Sequence, residues 1–163
     1  MTGPSNHATM RRSWSGSVPM RSSLFFIFAL FSWAAQAEPV VIGSVKNAAG
    51  EAHVIRTQSR IPALPGMHLH EQDTLATGVT GSLGIILRDD TLVSLGPNSE
   101  LQVAQFRFDP ANQQLSLLTQ ITRGTAAYLS GQISKLLPGA ARVETPTAMI
   151  GVRGTHFVVK VNE

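Results

Sequence analysis

The sequence predicts an all-β protein: a β-roll, a sandwich or a solenoid-like stack of short strands. Three observations carry that prediction. Glycine and proline break the chain at short intervals, at Gly50, Pro65-Gly66, Gly78, Gly96-Pro97, Pro110, Gly124, Gly131, Pro138-Gly139 and Pro146. The runs between them are rich in Val, Ile, Leu and Thr, the composition of strands bounded by turns. No window holds an apolar stripe of helical period longer than two turns, so helix is limited to one short turn near residues 132–137.

In chain order, the first element is a leader. Residues 24–35 read Leu-Phe-Phe-Ile-Phe-Ala-Leu-Phe-Ser-Trp-Ala-Ala, with Arg21 before them and Ala35-Gln36-Ala37 closing the stretch. A basic region, a short apolar region and an A-x-A site make a secretory signal peptide, cleaved after Ala37. A membrane span needs roughly 20 apolar residues, so this stretch is too short to serve as an anchor. Translation can begin at Met1, Met10 or Met20, since residues 20–37 alone form a complete signal peptide. The expected product is one β-domain, residues 38–163, periplasmic and without stable membrane insertion.

Strands follow from period-2 alternation. Leu83, Ile85 and Leu87 share one face, with Ser82, Gly84 and Arg88 on the other. Asp89-Asp90 then makes a tight two-residue turn. Between Leu101 and Phe108 the phase changes: Leu101 and Val103 have one parity, Phe106 and Phe108 the other. A bulge near Ala104-Gln105 keeps both pairs in the core. Asp109-Pro110-Ala111-Asn112 is the next turn, followed by alternation of Leu115, Leu117 and Ile121. The last strand buries Phe157, Val159 and Val161 and exposes His156, Val158 and Lys160.

Composition removes whole classes of function. The absence of cysteine excludes disulfide frameworks, thiolate metal sites and thiol catalysis. The net charge of +3 and pI near 10 invite a nucleic-acid reading. However, Arg11, Arg12 and Arg21 all lie in the leader, and from Glu38 onward basic and acidic residues balance at ten each. Polyanion binding needs a basic surface that outlasts processing, so no nucleic-acid partner is expected.

Three stretches resemble a known family. Asp73-Thr74-Leu75-Ala76-Thr77-Gly78 is similar to a "G-D-x-[IL]-x-T-G" motif. The stretch from Leu87 to Leu101, through Asp89-Asp90-Thr91 and Gly96-Pro97-Asn98-Ser99, resembles "L-x-D-G-S-x-[IV]-x-L-x-P-x-S-x-[LI]". Thr145–Val159 resembles the closing "T-P-x-A-x-x-G-V-R-G-T-x-F-x-V". Together they are similar to the FecR domain over roughly Val45 to Val161. The resemblance implies an extracytoplasmic all-β domain; the name-giving member is an inner-membrane sensor that relays ferric citrate uptake to a sigma factor. With a cleavable leader and no cytoplasmic sigma-binding segment, this chain is expected to match the stand-alone exported members.

The candidate residues are few. Acid–base and nucleophilic catalysis need converging titratable groups, and those of this chain are scattered, mostly at turns, so no catalytic site and no cofactor are expected. His68 and His70 stand on one side of an extended strand, about 6–7 Å apart. They are the metal-ligand candidates if Glu71, Asp73 or His53 completes the set. Asn98 and Ser99 form a turn able to bind a ligand or to bond its own backbone. Arg153, the only charge in Thr147–Thr155, contacts a partner or satisfies backbone acceptors within the fold. The expected function is a non-catalytic binding or scaffold domain that contacts an envelope protein or surface polymer. The alternatives are a periplasmic sensor module for an iron or other metal signal acting through a membrane partner and, more weakly, a metal-dependent enzyme.

Overall fold

A computed structural model describes residues 40–154 and 156–162. The expected leader and the cleavage site after Ala37 lie outside these residues. The described residues form β1 (Val41–Ala49), β2 (Ala52–Arg56), β3 (Ser59–Pro62), β4 (His68–His70), β5 (Thr74–Thr77), β6 (Ser82–Leu87), β7 (Leu92–Leu95), β8 (Glu100–Asp109) and β9 (Gln114–Leu129). After these come α1 (Gln132–Leu136), β10 (Ala141–Glu144), β11 (Met149–Gly151) and β12 (His156–Val161). The expected all-β class with one short helical turn is the observed one. Among the described residues no helix is long and apolar enough to cross a membrane.

All twelve strands belong to one sheet curled around a single core, in the order β3-β2-β5-β8-β9-β7-β6-β1-β4. The long strand β9 joins its two halves. Its first part lies between β8 and a parallel β10, its last part between β7 and β12. Every other pairing is antiparallel, so of the expected forms the roll describes the fold. Ile42, Leu69, Leu75, Leu83, Ile85, Leu101 and Ile121 fill the interior, each at most 1% exposed. Burying an aliphatic side chain this fully contributes about 1.5–3 kcal/mol.

The phase change in β8 is a bulge at the expected place. The register with β9 shifts between Val103 and Gln105, and Val103 and Phe106 are both buried. The β4–β5 turn fills the break: the Glu71 carboxylate accepts the Phe106 N–H at 2.6 Å, and the Gln72 N–H donates to the Val103 carbonyl at 2.8 Å. Gly124 is not a break between strands, as its place among the turn glycines implied, but the pivot inside β9. Leu117, Thr119 and Ile121 point inward before it, Ala126 and Tyr128 after it, and its own φ is +84°. Left-handed backbone is open to glycine at little cost, so one strand changes face there without ending.

The Asp89-Asp90 turn differs from expectation. Leu87 N–H bonds the Thr91 carbonyl, making a three-residue loop in which Asp90 alone has positive φ, +66°. The reason is tertiary. Asp89 is fully buried, and its carboxylate accepts the Thr91 N–H at 3.2 Å, the Thr91 hydroxyl at 2.7 Å and the Ile133 N–H at 3.3 Å. Its carbonyl accepts the Gln132 N–H at 2.6 Å. A residue that pins α1 in this way is not available for the paired left-handed geometry of a two-residue turn.

Candidate functional site

The sequence-predicted site residues do not come together in one place. Ser99 is buried, and its hydroxyl accepts the Thr125 N–H at 2.9 Å while lying 3.1 Å from both the Pro97 and Thr125 carbonyls. Its own N–H donates to the Thr77 hydroxyl at 2.9 Å. These bonds hold the β7–β8 turn against β5 and the Gly124 pivot. Asn98 is exposed at φ +49° and borders an open hollow of about 470 Å³ with Arg123, Gly124, Val161 and Asn162. Arg123 in that hollow is engaged by Glu100 at 3.1 Å.

His68 and His70 flank the buried Leu69 from the same side, His68 exposed and His70 half-buried. The carboxylates nearest in sequence are committed elsewhere. Asp73 takes both Arg56 nitrogens, at 2.6 and 2.8 Å, and the His70 main-chain N–H at 2.8 Å. Glu71 takes the Phe106 N–H and Arg107 at 2.9 Å. Among the described residues no three or more His, Asp or Glu side chains gather to hold a metal ion. Arg153 is exposed and makes no hydrogen bond or ion pair among the described residues, so it does not satisfy backbone acceptors there.

What the sequence did not reveal is how differently the sheet treats its edges. Unpaired edge strands attract other strands, and proteins guard them with charge, proline or cover. At one edge, β3 carries Arg60 and Pro62. At the opposite one, β4 is sealed: Arg56 donates to the His68 carbonyl at 2.9 Å and Asp73 accepts the His70 N–H, so the Arg56–Asp73 ion pair occupies both groups. Asp73 is 1% exposed, and its bidentate bond holds the Arg56 proton on even more firmly than usual. The Arg56 partner gave no sequence signal, because it lies in another strand. The strand β12 carries Lys160 and His156 outward.

Of the edge strands among the described residues, β11 alone has neither charge nor proline of its own nor an ion pair that seals it. Among the described residues it pairs with β10 alone, its three residues are all exposed, and Met149 and Ile150 present apolar side chains. Val152 N–H bonds the Ala141 carbonyl and Thr145 N–H the Ala148 carbonyl. By antiparallel alternation the Ile150 groups also face β10, which turns those of Met149 and Gly151 outward. The only hint in the sequence is that residues 147–152 carry no charge.

Beside this edge, an open groove of about 490 Å³ runs over the outer face of β8, β9 and β10. Gln105, Leu118, Pro138, Arg142 and Met149 are among its lining, and none of its lining residues is acidic. A neighbouring hollow of about 380 Å³ shares Leu115 and Leu137 with it and adds Leu136. Leu136, Leu137 and Met149 are 46–58% exposed, an apolar strip of the kind found at interaction surfaces. The charges divide along the edge. Arg142 stands opposite Gly151 in register and Arg153 lies two residues beyond it, whereas Glu144, opposite Met149, is bonded by the Gln120 amide at 2.7 Å.

No curated protein and no solved structure matches the chain. The family model described as FecR protein matches residues 73–163, which takes in the Asp73–Gly78 motif with its ion pair, the Asp89 and Ser99 anchors, and the closing segment that forms β11 and β12. The match spans more than half of the sequence, and the chain therefore belongs to the FecR family.

Proposed function

We propose that this chain is an exported, non-catalytic recognition domain that binds an envelope protein by accepting a strand at the open edge of β11. The family is one of periplasmic, sensor-like signalling domains, which supports a role in partner contact rather than chemistry. One observation carries the reading: of the edge strands among the described residues, β3 is guarded by Arg60 and Pro62, β4 by the Arg56–Asp73 pair and β12 by Lys160, while β11 alone is bare and apolar. An added strand gains main-chain hydrogen bonds from the Met149 and Gly151 groups, and its side chains reach the adjoining groove. A protein fits better than a surface polymer, because an edge of alternating N–H and C=O groups matches another polypeptide backbone.

The test is a photo-crosslinking residue placed at Met149 in the full chain, expressed with its own leader, with a second one at the exposed Val79 as control. Position 149 is expected to capture a discrete envelope protein, position 79 is not, and Gly151→Pro is expected to abolish the adduct. Proline removes one outward N–H and none of the bonds to β10, and at Gly151 a side chain meets nothing within 4 Å. Capture that is equal at both positions, or unaffected by the proline, would refute strand addition.

A further inference from the structure

Resting on that reading, we infer that the strand β11 accepts is acidic: an extended, largely apolar segment with carboxylates that settle beside Arg142 and Arg153. Three features lead to this. First, Arg142 and Gly151 share the outward face of β10 and β11 with Glu144 and Met149, since Ala141 and Val143 turn inward to the core, and the exposed Arg153 follows two residues beyond Gly151, past the buried Val152. Gly151 adds no side chain between the two arginines. Second, neither guanidinium is in an ion pair with a carboxylate among the described residues; the Arg142 Nε donates only to the Gly139 carbonyl, at 3.2 Å. Third, the groove beneath offers Leu118, Pro138 and Met149 and no acidic residue. An incoming strand places alternate side chains on this face, where apolar ones pack over Leu118 and Met149 and acidic ones meet the arginines. A basic strand meets two like charges at the Gly151 end, where Glu144, opposite Met149, does not sit between them.

Polarity along the edge follows as well. The positive charge sits at the Gly151 end, whereas at the Met149 end Glu144 already accepts from Gln120. The acidic residues of the partner therefore lie at whichever of its ends runs past Gly151, and the apolar ones past Met149.

The probes are two short fluorescent peptides of alternating Val and Thr, one ending in two Glu and the other in two Lys, titrated into the purified protein and read by anisotropy. The Glu peptide is expected to bind about tenfold more tightly at low salt, the effect of two exposed ion pairs, and the gap is expected to close at high ionic strength. Arg142→Glu with Arg153→Glu reverses the preference, and Gly151→Pro removes binding of both peptides. Thermal melting of each variant confirms that it is folded. Met149→Lys, a charged guard on the same edge, is the second test should the proline variant melt early.

If the two peptides bind equally and Gly151→Pro still removes binding, strand addition stands and the preference for acid is overturned. If the Glu peptide binds the proline and Met149→Lys variants as well as the wild type, the arginines alone hold it and the strand geometry is overturned. If neither peptide binds, this inference fails, while the crosslinking experiment still decides whether β11 is an interface.

Discussion

Removing the Asp89 carboxylate tests whether this residue is a turn former or an internal anchor. The side chain is fully buried and serves three donors, the Thr91 N–H, the Thr91 hydroxyl and, more distantly, the Ile133 N–H. In Asp89→Ala the hydroxyl can rotate to another acceptor, but two N–H groups are stranded away from water. Each stranded donor costs about 1–3 kcal/mol, so the expected loss is about 2–6 kcal/mol, a large part of the roughly 5–15 kcal/mol that stabilises an ordinary domain. Asp89→Asn keeps the shape and one acceptor but turns an NH₂ toward donors, and is expected to lose about half as much. Urea unfolding with an unchanged slope measures both variants. Amide exchange is expected to quicken first at Gly131 and Ile133, because Thr91 Oγ1 accepts the Gly131 N–H at 3.0 Å and the same cluster pins α1. A loss below about 1 kcal/mol with unchanged exchange in α1 would refute the anchor and return Asp89 to the role of an ordinary turn residue.

Further outcomes follow from the same structure. Gly124→Ala is expected to cost about 2–5 kcal/mol by denaturant unfolding, since left-handed φ is unfavourable for alanine and its Cβ meets Ser99 and the Asn98 carbonyl closer than side chains tolerate. Arg153→Met, at an exposed position, is expected to stay within about 0.5 kcal/mol of wild type; a loss of several kcal/mol would show that the guanidinium is needed inside the fold. Burial holds the proton on the Tyr128 phenol and raises its pKa above the ordinary value, against the opposing bond to Thr119. Its folded pKa exceeds the unfolded one, so its contribution is complete below about pH 10 and is lost above that, at up to about 1.4 kcal/mol per pH unit. Tyr128→Phe is expected to remove that part of the alkaline slope, and as Tyr128 is the chain's one tyrosine its ionisation can be followed alone by absorbance.

Local chemistry was enough to determine the class of the fold and several of its details. Turn residues and period-2 runs placed the strands of β6, β8 and β12, and the parity change between Val103 and Phe106 located a bulge that the register confirms, because side-chain alternation is a property of the strand itself. Pairings remote in sequence were decided only by tertiary structure. Arg56 reaches Asp73 across 17 positions, and Asp89 reaches Ile133 across 44. Neither residue type announces its partner, since a carboxylate in a turn motif reads the same whether it faces water or a buried amide. Gly124 looked like punctuation and became a pivot once Ser99 supplied an acceptor for the next N–H. The open edge of β11 was the least legible feature of all. Whether a strand is an edge depends on what fails to pair with it, and that is set by how the other eleven strands use their hydrogen bonds.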